Sequence, residues 1–327
     1  MSKAAAAYLK QQVEDGKFDA VISLGGGGGT SLASSAMRAL PLGFPKIIVS
    51  TLASGNTAHY LGTKDITLIP SIVDVAGLNR VSKMVFKKAA GAICGMVEVQ
   101  EQAESEKPLI VASMFGNTTD CVNMAKAVLE DAGYEVLVFH ATGMGGKTME
   151  DLIESGMVHA VLDITTTEWA DELVGGVLSA GSTRLDAMSK AGVPTLVVPG
   201  CIDMANFGER DSVPEKFKGR TFYQHNDQVT LMRTNAEECE ELGRILSEKA
   251  NQNSAPTEIS LPLQAISVIS AEGQKFYDPA ADQALFGAIR KHSKVKVNEL
   301  NCEINDKEFA EHCANTLLKL IQSTKQK

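Results

Sequence analysis

Five consecutive glycines, Gly25 to Gly29, join an apolar run, Phe18 to Leu24, to a segment of small and apolar residues, Leu32 to Leu40. The run reads as a buried strand and the segment as a helix, which makes the glycines a strand-to-helix turn. Glycine lets the backbone approach a ligand closely, and the first N–H groups of a helix point outward at an anion. Gly26, Gly27, Gly28 and Gly29 are therefore candidate phosphate-binding backbone. Thr30 and Ser31 add hydroxyls where the helix begins, for capping or for a phosphate oxygen. A turn shaped only for tight strand–helix packing is the alternative. The stretch is not a dinucleotide fingerprint, because Ile47-Ile48-Val49 runs into Ser50-Thr51 with no Asp or Glu closing that strand.

At 327 residues the chain has room for two domains. Only 5% of residues are aromatic against 44% hydrophobic, so the cores must be built from Ala, Val, Leu, Ile and Met, as in layered α/β proteins. The net charge of −9 argues against a nucleic-acid surface. No apolar stretch is long enough to span a bilayer, and no signal peptide opens the chain, so a cytoplasmic protein without a membrane partner is expected. The six cysteines are scattered, with no Cys-x-x-Cys pair, which fits free thiols in a reducing compartment.

Strands and helices alternate along the chain, and the fold class expected is α/β with mainly parallel, doubly wound sheets. Strands are read at 18–24, 46–50, 66–70, 109–113, 135–139, 160–164, 195–198, 258–261 and 296–300. Helices are read at 4–14, 32–40, 78–99, 118–132, 148–154, 170–178, 183–191, 235–251, 279–292 and 307–323. A polar linker over Gln100 to Lys107 separates a first domain, 1–103, from a second, 104–327. The first domain opens on a helix and the glycine-turn strand with no unit flanking that strand. It reads as N-terminally incomplete, with a strand edge that another subunit would cover.

Ligands in open parallel sheets bind beyond the carboxyl ends of strands, so the loops there are the next candidates. Ser54, Gly55 and Asn56 follow the strand at 46–50 and suit a second wall of a phosphate or sugar pocket, or an ordinary turn. His140-Ala141-Thr142-Gly143-Met144-Gly145-Gly146-Lys147-Thr148 nearly matches a P-loop, with Asp163 ending the next strand as a Walker B carboxylate would. It follows the second strand of its domain, however, and a plain glycine turn is favoured, with Thr142, Gly143, Gly145 and Gly146 as backbone donors. Glu168 and Glu172 are candidates for magnesium or sugar hydroxyls. The bland reading is a capping box from Thr165 to Glu168, with Asp171 and Glu172 complementing the helix dipole. Asp203 and Asn206 are polar residues in an apolar loop, and His225 is the candidate general acid or base, with Asp203 as its catalytic companion. Arg233 suits a carboxylate or phosphate, or a pair with Glu237 or Glu238. Cys201 is the thiol nearest to this chemistry, with no neighbour that would activate it.

Several of these stretches resemble one family. In the first domain they are Gly-Gly-Gly-Gly-Gly-Thr-Ser (25–31), Ala-Met-Arg-Ala-Leu-Pro-Leu-Gly (36–43), Ser-Thr-Leu-Ala-Ser-Gly (50–55) and Val-Asp-Val-Ala-Gly-Leu-Asn-Arg (73–80). In the second they are Phe-His-Ala-Thr-Gly-Met-Gly-Gly (139–146), Glu-Leu-Val-Gly-Gly-Val-Leu-Ser-Ala-Gly (172–181), Asp-Met-Ala-Asn-Phe-Gly (203–208) and His-Asn-Asp-Gln-Val-Thr-Leu-Met-Arg-Thr (225–234). Together they resemble the family of the tomato mosaic virus resistance protein. The resemblance implies two Rossmann-like domains, ATP binding with magnesium, and a homodimer. Relative to that family, the strand–helix units that normally precede the helix at Ala4 are absent, and the glycine turn is all glycine where a small polar residue is usual. The expectation is an ATP- or nucleotide-binding protein with its ligand in an interdomain cleft, with catalysis on a nucleotide or sugar phosphate left open. The alternatives are a non-catalytic regulatory subunit, and one half of a split protein completed by a companion chain.

Overall fold

The structure, a computed structural model, describes residues 1–99 and 107–324. The chain divides into two compact units, Met1–Ser105 and Glu106–Lys327. The linker read at Gln100 to Lys107 lies, apart from Lys107, outside the described residues.

The first unit contains α1 (Ser2–Glu14), β1 (Val21–Gly25), α2 (Gly27–Met37), β2 (Lys46–Ser50), α3 (Ala58–Leu61), β3 (Thr67–Pro70) and α4 (Arg80–Glu98). The three strands form a parallel sheet in the order β1-β2-β3. β2 is the central strand and is buried along its whole length, which is why Lys-Ile-Ile-Val-Ser shows no apolar–polar alternation. Ile47 and Val49 pack against Val85, Ala89 and Ile93 of α4, while Ile48 packs with Met37 of α2 and Ile66. Asn79 caps α4 by accepting from Val81 N and Ser82 N, and Ser82 Oγ accepts from Asn79 N in return.

Two expectations shift here. The first strand is not a buried run over 18–24 but Val21–Gly25 at the outer edge of the sheet, with Ile22 43% and Leu24 45% exposed. The helix after it starts at Gly27 rather than Leu32, so three of the five glycines form its first turn. Local propensity argues against a helix that opens on glycine, and tertiary packing overrides it. The reversal is tight: a Cβ on Gly25 would lie 3.0 Å from Gly29 Cα.

The second unit holds β4 (Leu109–Met114), α5 (Thr119–Asp131), β5 (Glu135–His140), α6 (Met144–Glu154), β6 (Val158–Thr165), α7 (Glu168–Val174), α8 (Ala187–Ala191) and β7 (Thr195–Gly200). It continues with β8 (Met204–Phe207), β9 (Phe222–Asn226), β10 (Val229–Arg233), α9 (Ala236–Gln252), β11 (Thr257–Pro262), α10 (Pro279–His292), β12 (Lys296–Leu300) and α11 (Lys307–Thr324). Six strands make a parallel sheet in the order β12-β11-β7-β6-β4-β5. Ile110, Ala112, Leu162, Ile164, Leu196 and Val198 form its core with Cys121, Val122 and Leu129 of α5 and Phe309, Cys313 and Leu317 of α11. The chain leaves β4 to one side for β5 and returns to the other for β6. Their carboxyl ends therefore flank a topological switch point.

A second sheet, antiparallel in the order β8-β10-β9, was not expected from the sequence. Its hairpin turns on Asp227 and Gln228, where Gln228 N donates to Asn226 Oδ1. The turn carries no glycine, so the usual hairpin signal is missing. Among the described residues, no helix is long and apolar enough to cross a membrane.

The glycines divide into those the fold needs and those it does not. A Cβ on Gly28 would meet open space, whereas one on Gly145 would collide with the His140 carbonyl oxygen. Gly28→Ala should therefore raise stability by a few tenths to about 1 kcal/mol through helix propensity. Gly145→Ala should lower it by about 3 kcal/mol or more. Urea unfolding midpoints of the two variants against the parent chain measure both signs.

Candidate functional sites at two glycine turns

Each unit places a glycine turn at the carboxyl end of a parallel strand, and the two differ in what occupies the helix N-terminus. In the first unit Gly26 is the N-cap of α2, in extended conformation and with no side chain bonded to the helix end. Gly27, Gly28 and Gly29 are exposed in the first turn. Helix N-termini carry unpaired N–H groups and a positive partial charge. Acidic residues are absent from the first turn of α2, so no carboxylate on the helix itself meets that charge.

Thr30 does not point to this opening. It is buried, with Oγ1 2.6 Å from Ser50 Oγ, and ties α2 to β2. Ser31 is exposed on the same helix. The loop after β2 runs alongside, and a Cβ on Gly26 would sit 3.5 Å from Thr51 Oγ1. A cavity of about 530 Å³ opens here, lined by Ser50, Thr51, Ser54, Pro70, Ser71, Ile72, Val73 and Asp74. Ser54 is thus brought to the cavity beside the glycine turn. Gly55 closes a turn onto Leu52 O, and Asn56 accepts from Ala58 N at 3.2 Å at the start of α3.

In the second unit the turn at Gly143 starts α6, with Gly143 at φ +80°. Here the protein supplies its own anion. Glu168 Oε1 accepts from Gly143 N at 2.7 Å and from Gly146 N at 3.1 Å. Its Oε2 accepts from Arg184 Nε at 2.8 Å. Arg184 is 1% exposed; it grips Asp163 through both terminal nitrogens at 2.6 and 2.7 Å and reaches Glu150 at 3.1 Å. Burial pushes the Glu150 carboxyl up, and the buried carboxylates hold the Arg184 guanidinium well above its usual range.

This arrangement bears on several residues singled out above. The glycines at 145 and 146 leave room for the His140 carbonyl and the Glu168 carboxylate, both of which a Cβ would strike. Gly143 and Gly146 spend their N–H groups on Glu168, and Thr142 Oγ1 bonds to His140 O at 3.3 Å. The capping box from Thr165 to Glu168 is not formed: Thr167 is the N-cap of α7, and Thr165 Oγ1 lies 2.7 Å from Thr118 Oγ1. Asp163 is bound by Arg184 and Ser113 rather than set out as a Walker B carboxylate. Glu172 bonds to Ser179. Among the described residues, no group of three or more His, Cys, Asp or Glu side chains is arranged to hold a metal ion.

Asp203 is fully buried and accepts from Ser267 Oγ at 2.8 Å; burial raises its carboxyl while Arg233 opposes the rise. Arg233 pairs with Asp282 at 2.6 Å, and Arg220 rather than Arg233 takes Glu238. His225 is exposed on β9 with Tyr223 as its ring neighbour. Among the described residues, no hydrogen bond joins His225 to Asp203. Cys201 is buried, and burial pushes its thiol well up.

Sequence reasoning missed Arg184 and underread Asp171. Arg184 sits in Ser182-Thr183-Arg184-Leu185, where nothing local marks it as buried. The sequence places Asp171 in a helix first turn, where it complements the dipole. Its Oδ2 instead accepts from Asn206 Nδ2 at 2.7 Å, and its Oδ1 from Asn206 N at 2.9 Å and Leu178 N at 3.2 Å. Burial wins over these hydrogen bonds and raises its carboxyl from 3.8 to about 7.

Parallel sheets with covering helices and glycine turns at strand ends define a Rossmann-like α/β protein. The N-terminal domain of an uncharacterised protein family (UPF0261) matches residues 1–102, and its C-terminal domain matches residues 107–321. The chain belongs to this family. A UPF0261 protein of Clostridium tetani is 51% identical over 326 residues, covering 98% of this chain and 81% of that protein. The ToMV resistance protein Tm-1(GCR237) of Solanum lycopersicum is 42% identical over 330 residues, covering 98% of this chain but 44% of its own length. A UPF0261 protein of Mesorhizobium japonicum is 46% identical over 299 residues, covering 90% of this chain and 75% of its own length.

The raised carboxyl of Asp171 fixes the sign of a pH dependence. Between 3.8 and about 7 the folded protein holds a proton there that the unfolded chain releases. Its contribution to stability is complete below the lower value and is lost as pH rises through the upper one. Asp282, raised to about 6, acts in the same sense. The unfolding free energy, and with it the melting temperature, should fall between about pH 4 and about pH 7, with a slope of up to about 1.4 kcal/mol per pH unit from each group. In Asp171→Asn the fall should be shallower. A flat or rising profile in the parent chain would contradict the assignment.

Proposed function

We propose that this chain is an ATP- or nucleotide-binding protein that seats the phosphates on the N-terminus of α2. One observation carries the reading. Four glycines, Gly26 to Gly29, stand where a Cβ would meet nothing nearer than 3.5 Å, and none has a positive φ. Three of them open a helix, where glycine is the least favourable residue after proline. The fold does not need them there, and a ligand approaching the backbone does. The other glycine turn already carries Glu168, so the first is the one with donors to offer. Family resemblance supports ATP as the nucleotide.

Glu168 and Glu172 are engaged within the protein, so neither is free to hold magnesium. In this reading magnesium arrives with the triphosphate as its counter-ion. The burial of Asp203 and the exposed, separate position of His225 favour a binding module over an enzyme that uses this pair. Six free thiols fit a cytoplasmic setting.

Calorimetric titration with ATP, with and without magnesium, tests the reading. Saturable binding is expected in the parent chain. Gly27→Val and Gly28→Val should abolish it while the second unit keeps its folded signature. Unchanged affinity in folded variants would remove this turn from the mechanism.

A second reading concerns assembly and rests on β1. It is the outer strand of its sheet, and Ile22 and Leu24 lie on the face where Ile47 and Val49 are covered by α4. An apolar outer strand is a site for pairing with another strand. A second copy related by a two-fold axis through Ser23 would set Ile22 of one copy opposite Leu24 of the other. A companion chain is the alternative occupant. Light scattering should give the parent chain a mass above the 34.8 kDa of one copy, and Leu24→Lys should return it to that value. A monomeric parent chain would refute the two-fold pairing.

A further inference from the structure

We infer that the cavity beside the first glycine turn is a ribose-and-base pocket in which Asp74 accepts the sugar hydroxyls and Ile72 meets the base. The inference rests on the nucleotide-binding reading and names the part of the ligand that lies beyond the phosphates. The 530 Å³ cavity opens at the carboxyl ends of β2 and β3 and reaches the glycine turn through Thr51. No basic side chain lines it, so phosphate is not held there; Asp74 would repel it.

The lining groups differ in how far they are committed. Ser50 Oγ is engaged by Thr30 and Leu52 N, and Ser71 Oγ donates to Val73 O at 2.7 Å. Thr51 and Ser54 are exposed hydroxyls on the wall nearest α2. Asp74 is exposed, and its Oδ1 accepts from Val75 N at 2.8 Å, which holds one oxygen of the carboxylate. An ionised carboxylate accepts only, and two adjacent hydroxyl donors are its natural complement.

Ile72 supplies the apolar element. It is 73% exposed and sits at φ +66°, a conformation that a β-branched residue rarely adopts. The twist turns an isoleucine outward at the rim of a polar cavity. Together the N-terminus of α2 and the cavity therefore offer unpaired N–H groups, hydroxyls, one carboxylate and one apolar side chain. A ribonucleoside di- or triphosphate matches that set. A sugar phosphate lacks the apolar end, and an inorganic polyphosphate lacks the diol as well.

The test compares three probes on the full chain in magnesium buffer by calorimetry: ATP, 2′,3′-dideoxy-ATP and tripolyphosphate. ATP should bind roughly tenfold more tightly than the dideoxy analogue, the effect of a charge-assisted hydrogen bond. Asp74→Asn should reduce ATP to the affinity of the dideoxy analogue and leave tripolyphosphate unchanged. Ile72→Gly should weaken ATP and the dideoxy analogue alike, yet raise the unfolding midpoint by relieving the backbone. If tripolyphosphate binds as tightly as ATP, or if Asp74→Asn lowers ATP and dideoxy-ATP equally, the pocket assignment is overturned while the glycine-turn reading stands. If none of the three binds, both are overturned.

Discussion

The second unit depends on one buried arginine. Arg184 faces Asp163 on β6, Glu168 at the start of α7 and Glu150 on α6, and all three are carboxylates withdrawn from water. Losing one partner of such a group leaves a buried charge unpaired, at a cost of about 3–5 kcal/mol. Here the cost would be larger in kind, because Glu168 in turn holds the turn that starts α6. The switch-point end of the sheet is thus fastened by charge where an α/β protein more often leaves an open crevice.

That arrangement explains why two glycine turns in one chain have different uses. Both end a parallel strand and begin a helix, and both present N–H groups to an anion. At α6 the anion is Glu168, fixed by Arg184, and the glycines at 145 and 146 exist because its carboxylate and the His140 carbonyl fill the space a Cβ would take. At α2, among the described residues, no side chain caps the helix end, and the glycines have space around them. The contrast gives the first turn its claim to an external phosphate.

Other buried carboxylates follow a common rule. Asp171, Asp203 and Asp282 each gain hydrogen bonds or a cationic neighbour, and in each case burial outweighs them and raises the carboxyl. Asp171 pins the segment after α7 to Asn206 on β8, which gives Asn206 in that apolar loop its structural reason.

Much of the architecture was legible because it is written in local pattern. Lys46–Ser50, Pro279–His292 and Lys296–Leu300 are apolar or periodic segments with clear stops, and they fall where the sequence places them. The antiparallel hairpin at Phe222–Arg233 was hidden because its turn lacks glycine, and the start of α2 was hidden because glycine argues against helix. The candidate site was half legible: the glycine turn announces an anion cradle, and the 141–146 turn announces the same thing. By itself the sequence determined the alternation of strands and helices, hence a parallel α/β protein, since burial pattern and turn chemistry are short-range properties. Only the tertiary structure decided which cradle is already filled. That depends on Glu168 and Arg184, 22 to 41 residues further along the chain, meeting the second turn in space, while among the described residues no side chain caps the first.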